Sequence, residues 1–297
     1  MSVLSPKGKA HFEKLRKNNI SHLKNEHGVG SAIEYLKFSN GIETASEPAK
    51  VLNYLEENDI SLDTFFHPSP LLDQDIMYVS LNPALKNVSC SKFESGSWFN
   101  RNNSNGDVEK ITWTTTVALG NHLYDNYASE EMIKILKEKI DSLPGERQKS
   151  YKEYVAIESQ NELSSSYYSD VFHTRFCKLA SVDGGFINLF GKEHLRSEFA
   201  KEIELVEPKL LITGCRDAWR SIQDYFVDDP ESDIHSHRSS TVAKKYSKRA
   251  NKTALPGVFE IPTKDLWVVT LSQESRPFQD FDEFKNNIEY VNERVEL

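Results

Sequence analysis

In residues 75–84, DIMYVSLNPA, an apolar run stops abruptly at an asparagine and a proline. Ile76, Tyr78 and Val79 have the composition of a short strand buried on both faces of a parallel sheet. Pro83 has no N–H to give to a ladder, and it drives Asn82 into an extended conformation. The strand therefore ends with Asn82 at its carboxyl tip, where open α/β sheets keep their ligand crevice. A solvated Asn-Pro turn is the alternative reading of the same residues.

Other strand-like runs recur with helical stretches between them. Tyr167 to Arg175, Pro208 to Gly214 and Leu266 to Leu271 read as three further strands. Helical patterns fill the intervals, among them 111–159, Gly191 to Leu205 with Leu195, Phe199 and Ile203 on one side, and a helix carrying Ala218, Trp219 and Ile222. A last helix is expected from about Phe281 to Val291. This alternation predicts an α/β fold of three layers, α/β/α, with a central four-stranded parallel sheet. Residues 1–65 read as a helical N-terminal extension packed on that core, in which Ser46-Glu47-Pro48 marks a helix start leading into Val51, Leu52 and Leu55. The α/β domain then spans 66–297, with a basic insertion at 228–257.

At 297 residues, with 38% hydrophobic and 11% aromatic content, the chain can bury a substantial core. No run of about 18 apolar residues predicts a membrane span, and the Lys-rich start lacks the apolar centre of a secretory signal. Cys90, Cys177 and Cys215 are odd in number and far apart, which argues against a disulfide framework, a zinc module or a four-cysteine cluster. Cys177 and Cys215 read as small buried hydrophobes. Cytoplasm is the expected compartment.

The net charge of −9 speaks against a globally basic nucleic-acid surface. Its distribution is uneven, however. From Ser236 to Lys252 the chain carries Arg238, Lys244, Lys245, Lys248, Arg249 and Lys252 with no acid. Such a segment is either a local polyanion contact or a solvated loop. At its start, His235-Ser236-His237 has no cysteine or carboxylate at metal-ligand spacing, and reads as a coincidence within a loop. No G-x-G-x-x-G, G-x-x-x-x-G-K-[ST] or G-x-S-x-G pattern occurs.

Taken in order, these pieces resemble the uracil-DNA glycosylase superfamily over roughly residues 70–280. Leu81-Asn82-Pro83 is similar to the family's first catalytic motif, at the end of the first strand of a four-stranded parallel sheet. Tyr167 to Arg175 resembles its second strand, and Pro208 to Ala218 its third-strand signature. Gln273-Glu274-Ser275 falls on its last loop motif. The resemblance implies a metal-free and cofactor-free monofunctional enzyme that flips a base from double-stranded DNA and hydrolyses its N-glycosidic bond. It implies catalytic roles for Asn82, Gln273 and Ser275, with Asn82 orienting a water below C1′ and donors near the base stabilising the leaving anion. Trp98 or Phe99 would stack on the extruded base, Phe99 being favoured by the resemblance. Arg276 sits where the family's minor-groove loop enters the duplex, and Lys244, Lys245, Lys248 and Arg249 would add phosphate contacts. His173 reads either as a hydrogen-bonded structural histidine or as a phosphate or base contact.

Three departures bear on substrate choice. Asp170 stands where the family reads the base with Asn. An ionised carboxylate only accepts hydrogen bonds, which suits the exocyclic amine of cytosine better than O4 of uracil. Ser80 replaces a glycine before the motif, and Ala84 replaces the bulky tyrosine that excludes thymine in strict uracil enzymes. Gln273 and Glu274 replace the usual His or Asn and Pro. The expectation is a monomeric glycosylase acting on a modified cytosine, such as the glucosylated hydroxymethylcytosine of phage DNA. Uracil or mismatch repair, a catalytically inactive DNA-binding member of the same fold, and an unrelated α/β enzyme acting on a small nucleoside are the alternatives.

Overall fold

The computed structural model describes residues 6–66, 75–81, 85, 88–94, 171–182, 185–229, 232–239, 257–270 and 281–295. These fall into two units, each built from separate stretches of chain: one from 1–72, 81–103 and 174–205, the other from 73–80, 104–173 and 206–297.

In the second unit, strand β1 (Ile76–Ser80) pairs in parallel with β3 (Leu210–Thr213), and β3 pairs in parallel with β6 (Leu266–Thr270). Ile76, Met77, Tyr78 and Val79 are all buried, as are all four residues of β3 and all five of β6. Continuous rather than alternating burial is what a strand covered on both faces requires. Burying β-branched and aromatic side chains at about 1.5–3 kcal/mol each is the main force holding these strands. Val79, Thr213 and Thr270 stand side by side at the carboxyl end. There the Thr213 hydroxyl donates to the Val79 carbonyl at 3.0 Å and accepts from the Cys215 N–H at 2.9 Å, closing the strand end on itself.

The α/β class is as the sequence predicts, but the sheet is longer and mixed. Its strand order is β2-β1-β3-β6-β5-β4, where β2 is Val171–Arg175, β4 His235–Ser239 and β5 Gly257–Ile261. The last two strands are antiparallel. A short 3₁₀ turn, Pro262–Lys264, with Asp265 in the left-handed region at φ 50°, folds β5 directly onto β6. Helix α7 (Arg216–Phe226) buries Ala218, Trp219 and Ile222 as expected, and Trp219 lies 4.8 Å from the Phe259 ring of β5. Helix α8 (Phe281–Asn292) packs on β5 and β6 through Ile288 and Val291.

The first unit begins with α1 (Pro6–His27), α2 (Ala32–Phe38) and α3 (Pro48–Glu57). Helix α2 starts at a capping box: the Ser31 hydroxyl accepts from Glu34 N–H, and Glu34 Oε2 accepts from Ser31 N–H at 3.0 Å and Gly30 N–H at 2.8 Å. Those backbone and side-chain donors hold the Glu34 carboxyl below its ordinary value. Helix α3 buries Val51 and Leu55 and starts within the expected Ser46-Glu47-Pro48, with Glu47 at the N-cap. Pro48 occupies the first turn, and the Glu47 carboxylate pairs with Lys50 at 2.8 Å instead of capping a backbone N–H.

Helix α4 (Cys90–Glu94) follows, then α5 (Phe186–Phe190) and α6 (Lys192–Val206). The helix predicted over Gly191 to Leu205 is α6, which begins one residue later because Gly191, at φ +71°, caps the end of α5. The predicted face of α6 is correct, with Leu195, Phe199 and Ile203 all buried. Tyr35 is fully buried beside Phe65, and its hydroxyl donates to the Ala180 carbonyl, so burial pushes its phenol well above the usual range. Among the described residues no helix is long and apolar enough to cross a membrane.

Candidate functional site

Asn82, Pro83 and Ala84 lie outside the described residues, but the residues on either side of them are fixed in the first unit. The Leu81 carbonyl accepts from the Cys177 N–H at 2.9 Å, and the Leu85 N–H donates to the Ser181 carbonyl at 3.1 Å. The Leu85 carbonyl also accepts from the Thr44 hydroxyl at 3.1 Å. Leu81 and Leu85, on either side of Asn82–Ala84, are thus hydrogen-bonded to one segment, 177–181, which continues the chain after β2. That segment is itself held by the Ala180 N–H, which donates to the Phe65 carbonyl at 2.9 Å. Leu85 is fully buried, and a Cβ built on Gly41 would meet its Cδ2, so a larger residue there would have to displace the Leu85 side chain.

The anchoring segment carries a buried charge network that sequence reading missed. Lys178 Nζ donates to Glu202 Oε2 at 2.6 Å, to the Thr174 hydroxyl at 2.7 Å and to the Arg175 carbonyl. The Thr174 hydroxyl in turn donates to Glu202, 3.1 Å from Oε1. The Lys178 and Glu202 side chains are only 5% and 2% exposed, so the ammonium has exchanged water for protein acceptors. His11 of α1 lies in the field of this pair. Burial holds its imidazole below the ordinary value, and its Nε2 has no hydrogen-bond partner among the described residues. No local spacing announces the network, because Glu202 is 24 residues from Lys178 and sits on the face of α6 that its apolar neighbours define.

Cys177 and Cys215 are buried as expected, and burial pushes the Cys177 thiol up to about 12. A thiol held protonated in this way is inert as a nucleophile.

In the second unit, His235 and His237 are not in a loop. They lie on β4, and cross-strand pairing sets His235 directly opposite Glu260 of β5. A register shift between Ser236 and Arg238 makes His237 the extra residue of a bulge. Its ring stacks on Trp267 at 4.8 Å, and its Nε2 lies 2.7 Å from Glu260 Oε2. The carboxylate missing from the local sequence arrives from 23 positions away.

Of the other predicted site residues, Ser80 ends β1 and His173 lies within β2. Trp98, Phe99, Asp170, Lys244, Lys245, Lys248, Arg249, Gln273, Ser275 and Arg276 lie outside the described residues, as do the helical stretches expected over 111–159. Comparison with protein-family models, with curated proteins and with solved structures finds no match.

Proposed function

We propose that the protein is a DNA glycosylase, in which β2, β1, β3 and β6 form a uracil-DNA glycosylase-like parallel core. It flips a modified cytosine out of double-stranded DNA and hydrolyses its N-glycosidic bond, leaving an abasic site. The observation that supports this reading is the double backbone anchor around Asn82–Ala84. A side chain that works by positioning a water, rather than by taking a proton, is effective only where its backbone is prevented from drifting. Leu81 and Leu85 are tied to 177–181, which Lys178 and Glu202 pin from within, so the stretch between them is bounded on both sides by fixed chain.

In this mechanism Asn82 accepts hydrogen bonds from the water that attacks C1′, and Asp170 accepts from the exocyclic amine of the extruded base. Gln273 and Ser275 donate to the departing base as negative charge develops on it. Phe99 and Trp98 supply the stacking face that replaces the neighbouring bases, at the cost of a few kcal/mol for extrusion. Ser80 and Ala84 leave room for a substituent at the 5-position, and His173 contacts a phosphate or the base. Arg276 enters the duplex. Lys244, Lys245, Lys248 and Arg249 neutralise phosphates. The enzyme works as a monomer in the cytoplasm and is assigned no metal in this chemistry.

The test presents duplexes carrying uracil, 5-hydroxymethylcytosine or its glucoside, and measures alkali-labile strand breaks. Release of a modified cytosine is expected, with Asn82→Ala reducing it about 10²-fold or more at unchanged DNA affinity. Release of no base by the wild-type protein, or wild-type turnover by the alanine variant, overturns the assignment.

A further inference from the structure

The His235, His237 and Glu260 side chains of the second unit offer ligand atoms that all lie within 4.8 Å of one another. We propose that this cluster binds a divalent transition ion of the Zn²⁺ class, apart from the glycosylase chemistry and independent of it. Two imidazoles and one carboxylate are the donor set that such ions select, whereas Mg²⁺ and Ca²⁺ take oxygen-rich sites.

The geometry comes from the strand pairing. His235 faces Glu260 across the β4–β5 ladder, with Nδ1 3.5 Å from Oε2. The bulge after Ser236 brings the next imidazole to the same carboxylate, with His237 Nε2 at 2.7 Å from Oε2. Ligand atoms around a tetrahedral ion at 2.0–2.2 Å stand about 3.3 Å apart. Small side-chain torsions take 2.7 Å out to that value and bring the longest separation, 4.8 Å, in to it. The backbone pairing need not move.

The arrangement also has an outer support. His237 is held in plane by Trp267, stacked at 4.8 Å with 26° between the rings. Its second nitrogen, Nδ1, lies 3.2 Å from the Tyr290 hydroxyl of α8. With Nδ1–H donating to that hydroxyl, the Nε2 lone pair is directed at the ion, which is how metal-bound imidazoles are oriented. Arg294 lies over the Tyr290 ring at 3.5 Å and fixes the phenol in turn. The side chains are reachable from solvent, His235 being 55% and His237 26% exposed. Three protein ligands leave a fourth position open to water or to an oxygen of a bound molecule.

The experiment uses the full chain without a polyhistidine tag, titrated with ZnCl₂, CoCl₂ and MgCl₂ by calorimetry. The histidine Cε1–H resonances are followed by NMR in parallel. One Zn²⁺ or Co²⁺ per chain is expected, with no Mg²⁺ binding. His235→Gln and Glu260→Gln should each weaken Zn²⁺ by more than about 10²-fold, and Tyr290→Phe by about tenfold. Melting temperatures of the metal-free variants report whether each still folds. The resonances of His235 and His237 in the wild-type protein should shift on addition of Zn²⁺, whatever the variants do. Stoichiometric binding that survives His235→Gln in a folded protein overturns the proposal, and so does a Zn²⁺ titration that leaves both histidine resonances unmoved.

Discussion

Replacing Lys178 by Met tests the framework on which the candidate site rests. Methionine is unbranched and only one atom shorter than lysine, so the change removes the charge with little cavity. Glu202 would then stand 2% exposed with its cation gone, retaining the Thr174 hydroxyl 3.1 Å from Oε1. Breaking a buried ion pair by removing one partner costs about 3–5 kcal/mol, because the remaining charge has lost water and gained nothing. At about 2–4 °C per kcal/mol, that is a fall in melting temperature of roughly 6–20 °C. The double change Lys178→Met with Glu202→Leu removes both charges, and is expected to recover most or all of the loss, since apolar replacement of a whole buried pair is neutral or stabilising by about 1–4 kcal/mol. The assay is urea unfolding followed by far-ultraviolet circular dichroism, with thermal melts alongside, on the wild type, both single variants and the double. Wild-type stability for Lys178→Met alone would refute the reasoning. A double variant no better than the worse single would show that the pair's geometry, and not charge burial, is what matters.

Acidification should destabilise the fold in a window set by two histidines. Burial holds His11 and His194 below the ordinary imidazole value, so the unfolded chain binds their protons first. Their contribution is complete above about pH 6.5 and is lost as pH falls through their lowered native values; melts at pH 7.5, 6 and 5 should show the decline, and His11→Leu should flatten it. An unflattened decline would remove His11 from the account. Neutralising Lys244, Lys245, Lys248 and Arg249 together should weaken binding to every duplex and shrink the slope of log K against log salt by about 0.9 for each phosphate that the protein no longer neutralises. An unchanged salt slope would make the segment a solvated loop.

The sequence revealed what periodicity and punctuation encode. The apolar runs of β1, β3 and β6 announce strands covered on both faces, and Leu195, Phe199 and Ile203 announce the buried face of α6. Other features follow from pairing across long intervals and leave no local pattern. The β4 sequence HSHRS is polar throughout, and it becomes a strand only because Gly257–Ile261 offers a ladder beside it. Lys178 and Glu202 are residue types expected at the surface. Each is buried because the other is there to satisfy it, which neither sequence neighbourhood discloses. The helix start at Ser46-Glu47-Pro48 was legible, with Glu47 at the N-cap and Pro48 in the first turn, whereas the pairing of Glu47 with Lys50 was not. The end of β1 before Asn82 was legible as punctuation, whereas the anchoring of Leu81 and Leu85 to 177–181 was not, since backbone hydrogen bonds are written in no particular side chain.

The parallel pairing of β1 with β3 also fixes an order of events during synthesis. Val79 and Thr213 are neighbours in the sheet but 134 positions apart in the chain. At roughly 5–20 residues per second, a ribosome needs about 7–27 s to deliver the partner strand after Val79 has been made. For that interval Ile76-Met77-Tyr78-Val79, four consecutive residues destined for full burial, have no β3 to pair with. A nascent apolar strand without its neighbour is a substrate for chaperones and a seed for aggregation. Production of this protein should therefore respond to translation speed between residues 80 and 210 and to the chaperone capacity of the host, even where the stability of the finished fold is unchanged.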